Sequence, residues 1–158
     1  MRNPKSAIGI VVLVALAAVV MAVVSVKMSP LDRNTAAFMV EEPYLRSSMP
    51  GSTSAAAFLV LRNQTGRDDR LVAVRSGLSG QVSLHSHTQD ANGVMRMSEI
   101  AEGVPLADGA AHAFARGGDH LMFTGLDAPL VQGQLVPVTL VFEQAGEVDI
   151  TVPVDLTR

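Results

Sequence analysis

Cysteine and tryptophan are absent from the 158 residues, tyrosine occurs once, and aromatic side chains make up only 4% of the chain. Without cysteine there is no disulfide, no thiolate nucleophile, no zinc–thiolate centre and no cysteine to carry a lipid. The thiolate that a blue-copper electron-transfer centre needs is missing too. Hydrolytic signatures are equally scarce: no Gly-x-Ser-x-Gly, no His-Glu-x-x-His and no recognisable paired-acid site. An enzyme is therefore not expected. Lysine is confined to Lys5 and Lys27, so from Met28 onward 9 arginines face 15 acidic residues, a net charge of −6. That balance argues against nucleic acid and against anionic lipid surfaces as partners. A domain of this kind, with no disulfides, has to rest on its hydrophobic core.

The chain does contain one long apolar run. Ala7 to Val26 is uncharged, preceded by Arg2 and Lys5 and followed by Lys27. Twenty residues at about 1.5 Å each reach roughly 30 Å, the thickness of a bilayer core. Residues 1–29 are thus expected to form a signal anchor, a single transmembrane helix. It is preferred over a cleaved signal peptide because VVSVKMSP offers no small-residue cleavage pair. The leading positive charges place the N-terminus in the cytoplasm and the rest outside. The expected location is the periplasmic or extracytoplasmic face of a bacterial inner membrane, or the free periplasm if the segment is cleaved. Residues 30–35 read as a linker, and residues 36–158 as one domain.

Within that domain, short runs of Val, Leu, Ala and Phe alternate with turn residues at intervals of about 8–12 positions, the pattern of an all-β sandwich. Strands are expected at Ala36–Val40, Ala55–Arg62, Arg70–Arg75, Gln81–His87, Gly93–Ser98, Ala111–Phe114, His120–Thr124, Leu135–Phe142 and Val148–Val154. Gln144-Ala145-Gly146 between the last two reads as a closing hairpin. No amphipathic helix is expected after the anchor.

Two segments, LHSHTQDANGVMRM and GGDHLMFTGL, hold a soft donor set: His85, Met97, His120 and Met122. Neutral thioethers favour Cu(I) and give little hold on hard cations or zinc, while imidazole accepts copper readily. Strand alternation puts His85 with His87, Met95 with Met97, and His120 with Met122 on shared faces. The four donors can surround one ion if three strand ends meet at one end of the sandwich.

At this point the residues resemble a family, the periplasmic copper chaperones called PCu(A)C. The family pattern is a His, about ten residues, a Met, about twenty-one residues, then His-x-Met. Here eleven residues separate His85 from Met97 and twenty-two separate Met97 from His120, which is followed by Leu121 and Met122. YLRSSMPGSTSAAAFLVLRNQTGRDDRLVAVRS, GVMRM, GGDHLMFTGL, Pro129-Leu130 and VPVTLVFE extend the likeness over about Phe38 to Val154. Three positions depart from it. Ser86 stands where a methionine is frequent, Asp119 replaces a tyrosine before the second His, and Thr124 stands where an apolar residue is common. The resemblance implies a cupredoxin-like Greek-key β-sandwich that binds copper, Cu(I) above all, with Cu(II) also to be considered, through His85, Met97, His120 and Met122. It also implies assembly of the dinuclear copper centre of cytochrome c oxidase, with a copper-accepting oxidase subunit or another copper chaperone as partner.

Other readings stand beside this one. Methionine in a strand is usually core filler, and Met95 is read as lining or packing. His87 is read as a solvent-facing or supporting residue or an additional ligand, and His112 as a surface or hydrogen-bonded histidine. Asp119 is read as a turn residue or as a carboxylate that orients His120. The alternative function is a metal-free β-sandwich interaction module at the outer face of the membrane.

Overall fold

The computed structural model describes residues 37–158 apart from 48 and 90. The expected anchor and linker lie outside the described residues. Within them the chain forms ten strands and no helical element: β1 Phe38–Arg46, β2 Ser54–Asn63, β3 Asp69–Arg75, β4 Ser79–Gln89, β5 Met95–Glu99, β6 Val104–Leu106, β7 Ala111–Phe114, β8 Asp119–Leu126, β9 Leu135–Phe142 and β10 Gly146–Pro153. No helix among them is long and apolar enough to cross a membrane.

The strands pair antiparallel in two sheets. The larger runs β1-β2-β8-β4-β5, with β7 beside the second half of β2, and the smaller runs β10-β9-β3-β6. Period-two alternation explains why the sheets stack. In β9, Val136, Val138, Leu140 and Phe142 are buried, and Val148 and Val152 of β10 meet the same interior. Ala55, Ala57, Leu59 and Leu61 of β2, with Leu84, Leu121 and Phe123, supply the facing layer. Phe38 stacks on Phe142 at 3.8 Å between ring centres and links the two sheets.

All nine expected strands are present; β7 and β9 keep the expected bounds, and the ends of the others shift. The chain differs in two places. β1 continues through Glu41, Glu42 and Pro43 to Arg46, because a bulge between Glu41 and Tyr44, with Glu42 at φ 48°, absorbs the proline and the double acid. β6, three residues long, was not expected because so short a run carries no period. Its approach depends on Gly103: φ is 73°, and a Cβ there would stand 2.4 Å from the Leu71 carbonyl oxygen.

Candidate metal centre

Register decides which side chains meet. β4 pairs with β8 so that His85 lies opposite His120 and Ser83 opposite Met122. On its other edge β4 pairs with β5, placing His87 opposite Met97 and Gln89 opposite Met95. Because Leu84 and Leu121 point into the core, His85, His87, Met97, His120 and Met122 all share the outer face of the larger sheet. The four expected ligands are brought onto one surface. They share one face of three adjacent strands, with His120 the second residue of β8 and Met97 on the edge strand β5, because the antiparallel register aligns the segments side by side.

A cleft of about 450 Å³ opens on this face, lined by Phe58, His87, Met97, His120 and Met122, with Arg46, Arg116 and Gly117 among the remaining wall residues. His120 is only 3% exposed although it faces outward. It is covered by the rings of His87 at 4.8 Å, His85 at 5.9 Å and Phe58 at 6.2 Å. Phe58 was not singled out from the sequence. Its signal was available in the run AAAFLVL, which is apolar on both faces, whereas a strand with one wet face alternates. Tyr44 packs on Phe58 at 5.1 Å from β1 and extends the cover.

The hydrogen bonds prepare these rings as donors. His120 Nδ1–H donates to the Gly118 carbonyl at 3.1 Å. A carbonyl only accepts, so the proton is fixed on Nδ1 and the Nε2 lone pair is left for an ion. Burial, the largest influence, lowers the His120 pKa, opposed by that hydrogen bond and reinforced by neighbouring His87 and His85. The ring is therefore held in the neutral form that a metal needs. His85 Nδ1, on the strand neighbour directly across from His120, is buried with no hydrogen-bond partner in the structure.

Among the described residues no three His, Cys, Asp or Glu side chains are grouped closely enough to hold a metal. The thioethers of Met97 and Met122 line the cleft beside the His87 and His120 imidazoles, a set of side chains that suits a soft cation. Met97 is about half exposed and sits at the cleft wall, so the site is open to a partner.

The remaining expected residues separate. Met95 shares the face but stands exposed beyond the cleft wall. Asp119 does not orient His120. Neighbours along a strand face opposite ways, and its Oδ2 lies 2.9 Å from His112 Nε2 on the other side of the sheet. His112 is thus hydrogen-bonded, as expected, and half-buried. Ser86 pairs with Asp119 and also faces away from His85. A methionine at that position points away from the cleft, so its absence costs the site no sulfur. Thr124 shares the face of His120 and Met122 and is half-buried.

Comparison with known proteins follows the same outline. The family model described as "Putative lipoprotein LpqE-like" matches residues 38–154. The protein named "Putative lipoprotein Lxx21020" of Leifsonia xyli subsp. xyli (strain CTCB07) is 35% identical over 104 residues, which is 66% of this chain. The match spans 62% of that relative's own length. Among solved structures, the copper-bound PCuAC domain from PmoF2 is 28% identical with a TM-score of 0.61, covering 76% of this chain and 93% of that one. The apo PCuAC domain from PmoF1 is 28% identical with a TM-score of 0.62, covering 76% and 94%. The solution structure of CuI-DR1885 from Deinococcus radiodurans, 24% identical with a TM-score of 0.52 over 75% and 79%, is alike in fold.

Proposed function

The chain belongs to the PCuAC family, and on that premise we propose that it is a copper chaperone acting outside the cytoplasm, with Cu(I) as its cargo. His85, Met97, His120 and Met122 are the proposed ligands, and the sandwich is assigned to the cupredoxin-like Greek-key class. The observation that carries this reading is the single outward face that holds all four candidate donors, with the His120 Nδ1–H donated to the Gly118 carbonyl and His85 Nδ1 left unpaired.

The chemistry suits a carrier better than a catalyst. Two neutral imidazoles and two neutral thioethers hold Cu(I) without a thiolate, so handing the ion to an acceptor that offers cysteine sulfur is downhill. Neutral ligands also add no charge that has to be neutralised as the ion leaves. The open cleft beside Met97 gives an acceptor a route to the ion. On this reading no bond of a substrate is made or broken and the protein is not an enzyme.

The proposed setting is the outer face of a bacterial inner membrane, with residues 1–29 as anchor and an oxidase subunit with a dinuclear copper centre as acceptor. Tethering raises the local concentration of donor near a membrane-bound acceptor. The lipoprotein wording in the relatives' names stays with them: the 158 residues contain no cysteine to carry a lipid.

The test is anaerobic Cu(I) titration of the full chain in mild detergent against a chromophoric Cu(I) chelator, beside Met97→Ala/Met122→Ala. One ion per chain is expected, with competition lost in the double variant. A folded wild-type chain that takes no Cu(I) from the chelator overturns the chaperone reading in favour of a metal-free interaction module.

A further inference from the structure

Three imidazoles reach the outer face, and their surroundings differ. His85 lies directly across from His120 with its Nδ1 buried and unpaired, but it is not part of the cleft wall. His87 lines the cleft itself, directly across from Met97. Its ring centre is nearer to that of His120, at 4.8 Å against 5.9 Å for His85. Two imidazoles on one ion, each nitrogen about 2 Å from it, have ring centres roughly 4.5–6.3 Å apart. Either ring can therefore share an ion with His120. Yet among the described residues the three do not form a ready three-histidine group. Alternation between them fits the geometry better than simultaneous coordination.

The backbone holds His87 in step with the site. The Gly118 carbonyl accepts the His87 backbone N–H at 3.2 Å and the His120 Nδ1–H at 3.1 Å. One oxygen thus fixes both the position of β4 at His87 and the orientation of the His120 ring. The turn that supplies it, Arg116-Gly117-Gly118, contributes Arg116 and Gly117 to the cleft wall, with Gly117 at φ 81°.

Resting on the copper-chaperone reading, we propose that His87 is the exit ligand of this site. Cu(I) rests on His85, Met97, His120 and Met122. During transfer the bond from copper to His85 breaks as a bond from copper to a ring nitrogen of His87 forms. The ion moves into the cleft that His87 lines, where a donor from the acceptor displaces the remaining ligands. Both imidazoles are neutral two-electron donors, and a neutral ring already has one unprotonated nitrogen. The swap therefore leaves copper at +1 and moves no electron and no proton. His85 sets how tightly the ion is held, and His87 sets how fast it leaves.

Stopped-flow transfer from the Cu(I)-loaded full chain to excess chromophoric Cu(I) chelator, with equilibrium competition alongside, separates the two roles. His87→Ala is expected to keep the affinity within about threefold while slowing transfer at least about tenfold, because a bypass ligand is lost and the resting ligands are kept. His87→Met, which restores a soft donor in the cleft wall, is expected to recover most of the rate, an outcome that a purely structural role of His87 does not produce. His85→Ala is expected to lose affinity at least about a hundredfold, about 2.7 kcal/mol. Transfer from His87→Ala at the wild-type rate, or a loss of affinity as large as that of His85→Ala, overturns the proposal while leaving the copper site standing. A wild-type chain that binds no Cu(I) instead removes the site itself, and the two failures are thereby told apart.

Discussion

Two regions of this domain bury polar side chains, and they treat them in opposite ways. Where the β2–β3 turn meets the loops after β6 and β9, Asn63 is fully buried and Asp69 nearly so. Asn63 donates to the Arg67 and Leu106 carbonyls at 2.7 and 2.9 Å and accepts from the Thr65 N–H at 2.9 Å. Asp69 accepts the backbone N–H groups of Arg70, Gln144 and Ala145 at 2.7–3.0 Å. On the outer face of the larger sheet, His120 is equally buried but keeps one ring nitrogen uncommitted, and His85 Nδ1 has no partner. A satisfied polar group fixes loops; an unsatisfied one is an expense to the apo fold that only a ligand offsets.

The contrast is sharpest where the effect is largest. Asp69→Ala removes three charge-assisted bonds from one buried carboxylate and is expected to destabilise the domain by about 3–4 kcal/mol. Urea unfolding measures it. Copper affinity of the folded fraction should stay at the wild-type value, and a parallel loss of affinity breaks the division between the two regions. Next, Met97→Ala/Met122→Ala should reverse the pattern. Affinity for Cu(I) falls at least about a hundredfold, about 2.7 kcal/mol, while the unfolding midpoint of the apo form moves little, because Met97 is half exposed.

A smaller effect tests the cost of the open valence directly. His85→Leu removes the unpaired buried nitrogen and should stabilise the apo domain by about 1 kcal/mol, with loss of Cu(I) binding in the same protein. Apo unfolding that is unchanged or earlier shows that the nitrogen carries no such cost. The smallest effect is on pH. The folded-state pKa of His120 is lowered from 6.5 by burial, so its contribution to stability is present above pH 6.5 and declines as pH falls below it toward the lowered value. Chelator competition should show His120 remaining a neutral donor somewhat below pH 6.5. His120→Gln should remove that part of the apo stability profile.

Much of this organisation is legible along the chain. Alternation in VPVTLVF and EVDITVP marks β9 and β10 without tertiary information, because a half-buried strand must alternate. The spacing of His85, Met97, His120 and Met122 marks the candidate donor set, and residue chemistry alone points to a soft ion. β6 was hidden because three residues carry no period, and the second half of β1 because Glu41, Glu42 and Pro43 are strand breakers that only a bulge reconciles. That Asp119 meets His112 was not legible, because adjacency in sequence is opposition across a strand.

The sequence by itself determined the β class, the alternating faces, the absence of every thiolate chemistry and which soft side chains are candidate donors. Those follow from local periodicity and from what each side chain can bond. Only the tertiary structure decided that the candidate donors share one face of β8, β4 and β5, that Phe58 covers His120, that Asp119 serves His112, and that His87 shares the cleft with Met97. The physical reason is register. Which residue of one strand faces which residue of the next is set by how the whole sheet packs on its core, and no single segment contains that information.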